Sequence, residues 1–380
     1  MLILQLASIA DADTCGEGPR ELLTSEIPLG PSAIGGRLAA LAVVDVDGDG
    51  VSELHGAVVP PLDATQPLGL WSTHPDASGV HQPGLVQPMH DLSVAGLHLL
   101  PGDLDGDGDM DLALIDPVRN EVTQILSLGE GFQISPPHSL QLGPGPSVGD
   151  LDGDGVSELL SATLLGSARA WSLRSSEPEL KLEGTVPEGV VAQAVGDLDG
   201  DGAPEWIFAR GTSSRLAVAW GGDLRRREDL RIAVADARDL VAMDRDQDGE
   251  DELFVVDRRR AGVRLLTSPR LRRGPWVVRL KQDGARDSPQ SLSVADVDGD
   301  GCLDVVLHSF ATHELAVAWG DDQGRFSPQW IPGAGAGPVA VGQLDDRPGL
   351  EIAVVSGEVV RLFGIAAAPE PGPTAPPPEP

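Results

Sequence analysis

DVDGDGCLDVVLHSFATHELAVAWG, running from Asp296 to Gly320, holds the signals that decide the fold. A nine-residue acidic phrase is followed at once by a β-branched, apolar run and, after a polar break, by a second apolar run ending in Trp319 and Gly320. Runs of this length bounded by Gly and Asp turn chemistry read as strands rather than helices. The phrase is not unique to this stretch. It appears as DVDGDGVSE from Asp45, DLDGDGDMD from Asp103, DLDGDGVSE from Asp150, DLDGDGAPE from Asp197 and DRDQDGEDE from Asp244, with a degraded copy, QLDDRPGLE, from Gln343. Successive copies start 58, 47, 47, 47, 52 and 47 residues apart, so one unit is repeated and the two longer intervals carry loop insertions.

Alternating apolar residues precede the phrases (LAALAVVD, AVGD, SLSVAD), and LALID from Leu112, LFVVD from Leu253, VVLHS from Val305 and IAVVS from Ile352 follow them. A third run reads LAVAWG at both Leu216 and Leu315, and a weaker fourth completes the unit. Four short strands in 40 to 50 residues is the length of a propeller blade. Seven phrases therefore predict an all-β, seven-bladed propeller of four-stranded blades. A ring must join its ends, because an open one leaves sheet edges unpaired. After the seventh phrase only IAVVSG and EVVRLFGI remain, so the last blade is one strand short. The segment around Glu21 to Leu29 is expected to supply the missing outermost strand; the alternative places it in a leader outside the ring.

Written by position, the phrase is D-x-D-x-D-G-x-x-[DE]. Oxygen ligands at positions 1, 3 and 5, a backbone carbonyl at 7, a carboxylate at 9 and Gly at 6 match the first nine positions of an EF-hand-type calcium loop. The expected ligands are Asp45, Asp47, Asp49, Val51 and Glu53; Asp103, Asp105, Asp107, Asp109 and Asp111; and Asp150, Asp152, Asp154, Val156 and Glu158. In the second half of the chain they are Asp197, Asp199, Asp201, Ala203 and Glu205; Asp244, Asp246, Asp248, Glu250 and Glu252; and Asp296, Asp298, Asp300, Cys302 and Asp304. Position 7 has no common side chain, so only its backbone oxygen can serve all six. Hard carboxylate oxygens without His or Cys select calcium or magnesium, and many flexible ligands favour calcium. Position 12 lacks the bidentate Glu and no helices flank the loop, which places it in a β-hairpin rather than an EF-hand. In the degraded copy Gln343 and Arg347 replace the acids at positions 1 and 5, so that loop is expected to be metal-free, with Arg347 standing in for the cation. The alternative, that the Asp-Gly clusters are simply turns, accounts for the glycines but not for four carboxylates at fixed spacing.

Four carboxylates in one loop repel by roughly 1 to 4 kcal/mol per pair at surface-like dielectric. At a dissociation constant of about 0.1 mM and about 1 mM calcium, each site stabilises the fold by about 1.4 kcal/mol. About six such sites together rival the whole stability of a typical domain. Calcium is therefore expected to be structural rather than catalytic.

These phrases with their trailing strands resemble FG-GAP/VCBS-type repeats, the units of integrin alpha-subunit propellers and of many bacterial secreted proteins. The resemblance covers roughly residues 20 to 366. It implies a calcium-bound propeller used in adhesion or recognition, alone or beside an enzyme domain. The FG and GAP signatures are poorly kept and no integrin leg domains follow, so ligand identity does not transfer.

The chain has 380 residues, 59 acidic against 27 basic, for a net charge of -32, yet is 41% hydrophobic, enough to build a core. Such acidity repels phosphates and argues against nucleic acid and anionic membranes. Tyrosine is absent and aromatics are few, which disfavours a base-stacking platform. Four carboxylates in each of six loops make 24, leaving about -8 for the remainder. The charge is thus mostly a set of metal sites and points to a calcium-rich compartment, extracellular or in the cell envelope.

Residues 1–17 read as a leader, a partial signal peptide without the basic n-region; 18–366 as the propeller; and 367–380 as a disordered Pro-rich tail. No stretch is long and apolar enough to span a membrane. His55, His74, His81, His90 and His98 cluster in the first interval but fit no compact zinc spacing, and are expected in exposed loops. Between Arg225 and Arg286 there are 16 basic against 12 acidic residues, a patch suited either to an anionic partner or to discouraging edge pairing. Cys15 and Cys302 could form one bridge. No GxSxG, HExxH or phosphate-cradling motif is present. The leading expectation is a monomeric, non-enzymatic recognition module for a protein or glycan ligand. The alternatives are a propeller enzyme acting on a polysaccharide, of lyase or hydrolase type, and a structural subunit of a larger extracellular assembly.

Overall fold

The computed structural model describes residues 20–365, apart from 31–35, 60–68, 76–79, 83–84, 90–95, 130, 212, 233, 268–271, 280–288, 346 and 348. The leader, the Pro-rich tail, Cys15 and His90 lie outside the described residues. Seven antiparallel sheets follow one another along the chain, each with its innermost strand leading: Arg37–Val44, His98–Gly102, Ser147–Gly149, Val190–Gly196, Ala237–Met243, Pro289–Ala295 and Val339–Gly342. The fold is the expected seven-bladed propeller of four-stranded blades. Blade two departs in one detail: its outermost strand is split into Phe132–Ile134 and His138–Ser139, both paired with Glu121–Ser127. Pro136 and Pro137 fall in the gap, where a residue without an N–H cannot extend the ladder.

The second strand of each blade is buried on both faces. Asp111–Asp116, Glu158–Ala162, Glu252–Asp257 and Asp304–Ser309 are buried at every position. This is why the residues after each phrase read as continuous apolar runs instead of alternating ones. Outermost strands behave oppositely, and Glu179–Thr185 of blade three is mostly exposed. The core is not central but divided among the blade junctions. One cluster joins Ile207 and Val218 of blade four to Leu240 and Leu253 of blade five, and another joins Val306 and Val317 of blade six to Ile352 and Val354 of blade seven. On the ring axis the innermost strands enclose a cavity of about 280 Å³, whose lining includes Val43, Leu99, Val195 and Val294.

Closure follows the expected route. Leu22–Pro28 pairs antiparallel with Val359–Ile365, from Leu22 opposite Ile365 to Pro28 opposite Val359, and completes blade seven. Burying Ile27 and Leu29 against Leu41 and Leu54 of blade one seals the last junction. The Trp71 indole N–H donates to the Leu29 carbonyl at 3.0 Å across that seam.

One reading is corrected. The histidines of the first interval are not a set of exposed loop residues. His55 and His81 are buried, with His55 Nδ1 2.9 Å from Ser72 Oγ, and burial pushes the His55 imidazole down to about 3. The strand Glu53–Val59 carries His55 into blade one, so its environment is set by the sheet. Part of the arginine-rich stretch is paired within the blade. Arg238 and Arg258 both pair with the buried Asp236, and Arg260 pairs with the buried Asp257.

Candidate metal centre

Every acidic phrase connects the first strand of a blade to its second, so all seven loops lie on one face of the ring. Their backbone is set by the glycine at position 6. Gly50, Gly108, Gly155, Gly202, Gly249 and Gly301 have φ between 82° and 93°, a conformation L side chains rarely adopt. Position 4 is less demanding, and loop five places Gln247 there at φ 58°. In the degraded loop the glycine is displaced by one position to Gly349, φ 93°.

The carboxylates first serve the backbone. In loop four Asp197 Oδ1 accepts the Gly200 N–H at 2.8 Å and Asp197 Oδ2 accepts the Gly202 N–H at 2.8 Å, while Asp201 Oδ1 accepts the Ala203 N–H at 2.9 Å. Loops one, two and three repeat all three bonds. These bonds turn the side chains at positions 1 and 5 into the loop, as the spacing predicts. Ligand oxygens then converge within 4.8 Å of one another: Asp45, Asp47 and Asp49; Asp103, Asp105 and Asp111; Asp150, Asp152 and Glu158; Asp197, Asp199 and Glu205; Asp244, Asp246 and Asp248. Such a set of hard oxygens fits a divalent cation of the calcium type. At position 7, Val51, Asp109, Val156, Ala203, Glu250 and Cys302 each donate their N–H to the position-5 carboxylate.

Position 9 has a role the sequence reading missed. In all seven loops one of its oxygens accepts the backbone N–H of position 2: Glu53 from Val46, Asp111 from Leu104, Glu158 from Leu151, Glu205 from Leu198, Glu252 from Arg245, Asp304 from Val297 and Glu351 from Leu344, at 2.7 to 3.2 Å. The other oxygen of Asp111, Glu205 and Asp304 takes an N–H from the third strand or just beyond it, at Ser127, Gly221 and Gly320. The residue therefore staples the loop to its blade with or without metal. Its acidity in all seven copies, including the degraded one, was the available signal.

Burial is the main reason these carboxyls titrate high, with the loop aspartates adding to it. Glu53 and Asp304 are pushed up to about 8, Glu158, Glu205 and Glu252 to about 7, and Asp111 to about 6. Asp199 is raised as well, by burial and then by Asp201 and Asp197.

The degraded loop closes by a different chemistry. The Arg347 side chain reaches Asp345 at 2.6 Å and Glu351 at 3.4 Å, the two acids left at positions 3 and 9. The Gln343 amide, where the other loops have Asp, donates to the carbonyls of Asp345 and Arg347. The guanidinium thus stands in the place expected of the cation.

Neighbouring loops are tied together. Ser52 donates its N–H to the Gln343 carbonyl, Ser157 to Asp103, Asp251 to Asp197 and Leu350 to Val297, each across a blade junction. Cys302 is disulfide-bonded.

The FG-GAP-like repeat family matches residues 103–161, which span the second and third phrases. No curated protein sequence matches the chain. Among solved structures, virginiamycin B lyase from Staphylococcus aureus shares 11% identity at a TM-score of 0.58, covering 91% of this chain and 100% of its own. A streptogramin B lyase shows 11% identity and a TM-score of 0.56, with coverage of 91% and 98%. BBS1N in complex with ARL6DN shows 13% identity and a TM-score of 0.60, with coverage of 89% and 96%. At such identities the likeness is one of fold. The chain is thus a seven-bladed β-propeller that carries an FG-GAP-like repeat at residues 103–161.

Proposed function

We propose that the protein is a calcium-stabilised recognition module, non-enzymatic, working outside the cell or in its envelope. The observation that carries the reading is the convergence of carboxylate oxygens in successive loops on one face of the ring. Like charges held this close are stable only with a counter-cation, and extracellular calcium at about 1 mM fills sites of the usual affinity for such modules. A disulfide at Cys302 agrees with an oxidising compartment. Acidic loops commit one face to metal, which leaves the opposite face for a ligand. There the hairpin tips of blades two and three expose Val118, Leu164 and Leu165, the last at 87%. Exposed aliphatics on adjacent blades suit a protein partner better than a glycan.

The test is a thermal melt in calcium and in excess chelator, with metal counting on the dialysed protein. The expected result is a large fall in melting temperature on chelation and several bound calcium ions per chain. No shift and fewer than three ions would remove the metal reading.

A further inference from the structure

The sixth loop differs from the five before it in what lies over it. Arg20, just ahead of the strand that closes blade seven, sends its Nε to Asp298 Oδ2 at 2.5 Å and an Nη to Asp300 Oδ2 at 3.1 Å. Those are positions 3 and 5 of the loop. The main chain of Arg20 is fixed on both sides: its N–H donates to Gln329 Oε1 at 2.9 Å and its carbonyl accepts from Gln329 Nε2 at 3.0 Å. Gln329 is fixed in turn by the Trp319 indole N–H at 2.9 Å. A side chain delivered from so rigid an anchor loses little freedom on binding, and a guanidinium matches two carboxylates at once.

Burial registers the difference. The position-5 aspartates Asp49, Asp107, Asp154, Asp201 and Asp248 are exposed, whereas Asp300 is half-buried. The Asp298 side chain is only 4% exposed. Loop five provides the control. Arg245 also pairs with its position-3 acid, at 2.9 Å, and reaches the position-9 Glu252 at 3.8 Å, but that Asp246 side chain remains 45% exposed and converges with Asp244 and Asp248. Arg245 therefore leaves its position-3 acid open to solvent, whereas Arg20 covers the acids at positions 3 and 5 of its own loop. The arrangement resembles loop seven, where Arg347 holds Asp345 and Glu351.

We propose that Arg20 is the resident cation of loop six, so that this loop excludes calcium and serves as the socket in which the N-terminal segment is locked to blade six. This rests on the calcium reading above. The ring is thereby closed twice, by a strand on blade seven and by a charge plug on blade six. Five loops, not six, hold calcium in the intact chain.

The experiment counts calcium bound to the full-length chain by equilibrium dialysis at about 1 mM free calcium, the level expected outside the cell, for the wild type, Arg20→Gln and Asp298→Asn. The proposal expects Arg20→Gln to gain one ion over the wild type and Asp298→Asn to leave the wild-type count unchanged. An Arg20→Gln count equal to the wild type, or the loss of one ion in Asp298→Asn, overturns it. Should Arg20→Gln not fold, the Asp298→Asn count decides alone. No calcium on any variant removes the underlying calcium reading instead, which keeps the two failures distinct.

Discussion

Loop four and loop seven begin with the same hydrogen bond and diverge at their centres. Glu205 accepts the Leu198 N–H at 2.7 Å and Glu351 accepts the Leu344 N–H at 2.8 Å, so position 9 closes both. Loop four then brings the carboxylates of Asp197, Asp199 and Glu205 together, while loop seven places Arg347 between Asp345 and Glu351. The difference separates two jobs that one acidic phrase conceals. Position 9 belongs to the fold, and positions 1, 3 and 5 create a demand for positive charge that a metal or an arginine can meet. In the seventh phrase the acid that shapes the loop is present, and of the three acids that need a cation only Asp345 remains, paired with Arg347.

Acidity gives the broadest way to sharpen this. The position-9 carboxyls titrate above their ordinary values of 4.5 for Glu and 3.8 for Asp, at about 6 in Asp111, about 7 in Glu205 and Glu351, and about 8 in Glu53 and Asp304. A carboxyl raised in the folded state contributes stability that is fully present below its unfolded pKa and is lost as pH rises through the folded value. In chelator the protein is therefore expected to melt at progressively lower temperature between about pH 5 and pH 8. Calcium needs its ligands deprotonated, so saturating calcium should flatten or reverse that trend. Melting curves across this range, with and without calcium, check both signs; a calcium-free protein that gains stability toward pH 8 would break the account.

The staple itself is tested by Glu351→Ala beside Glu205→Ala. Each removes the acceptor of a buried position-2 N–H, and leaving a buried donor unpaired costs about 1–3 kcal/mol. For Glu351→Ala the loss should be the same in calcium and in chelator, since Arg347 already fills the loop. Glu205→Ala gives up the Gly221 bond too in both conditions, and its loss should be larger in calcium than in chelator, because it also removes a metal ligand. Denaturant melts of both variants in both conditions supply the four numbers needed. Equal calcium dependence in the two variants would erase the distinction between the loops.

Much of this was legible in the sequence because strand periodicity, turn chemistry and ligand spacing are local. Seven phrases fixed the blade number, and the missing strand after Ile365 pointed to the Glu21–Leu29 segment, since a ring has no other edge to pair. What escaped was set by distance in space. Arg20 and Asp298 are far apart in the chain, and only closure of the ring brings them together. His55 sits within a loop-rich interval by sequence, yet it falls on the second strand of blade one, which is buried at every position. The dual use of position 9 was hidden for another reason: a ligand and a backbone acceptor demand the same residue type, so composition cannot tell them apart until a loop appears that keeps one use without the other.

The smallest effect is the most discriminating. Asp201→Asn changes position 5 of loop four while preserving the Oδ1 that accepts the Ala203 N–H at 2.9 Å, so the turn keeps its bond. In calcium the variant gives up a charged ligand, and loss of the ion should cost about 1.4 kcal/mol at tenfold saturation. In chelator the sign should turn. Asp201 is the neighbouring charge that contributes most to raising Asp199, so removing it relieves repulsion and leaves the metal-free protein unchanged or slightly more stable. A substitution that destabilises with calcium and not without it is the signature of a residue whose work is charge alone. Equal destabilisation in both conditions would mean that position 5, like position 9, is part of the fold.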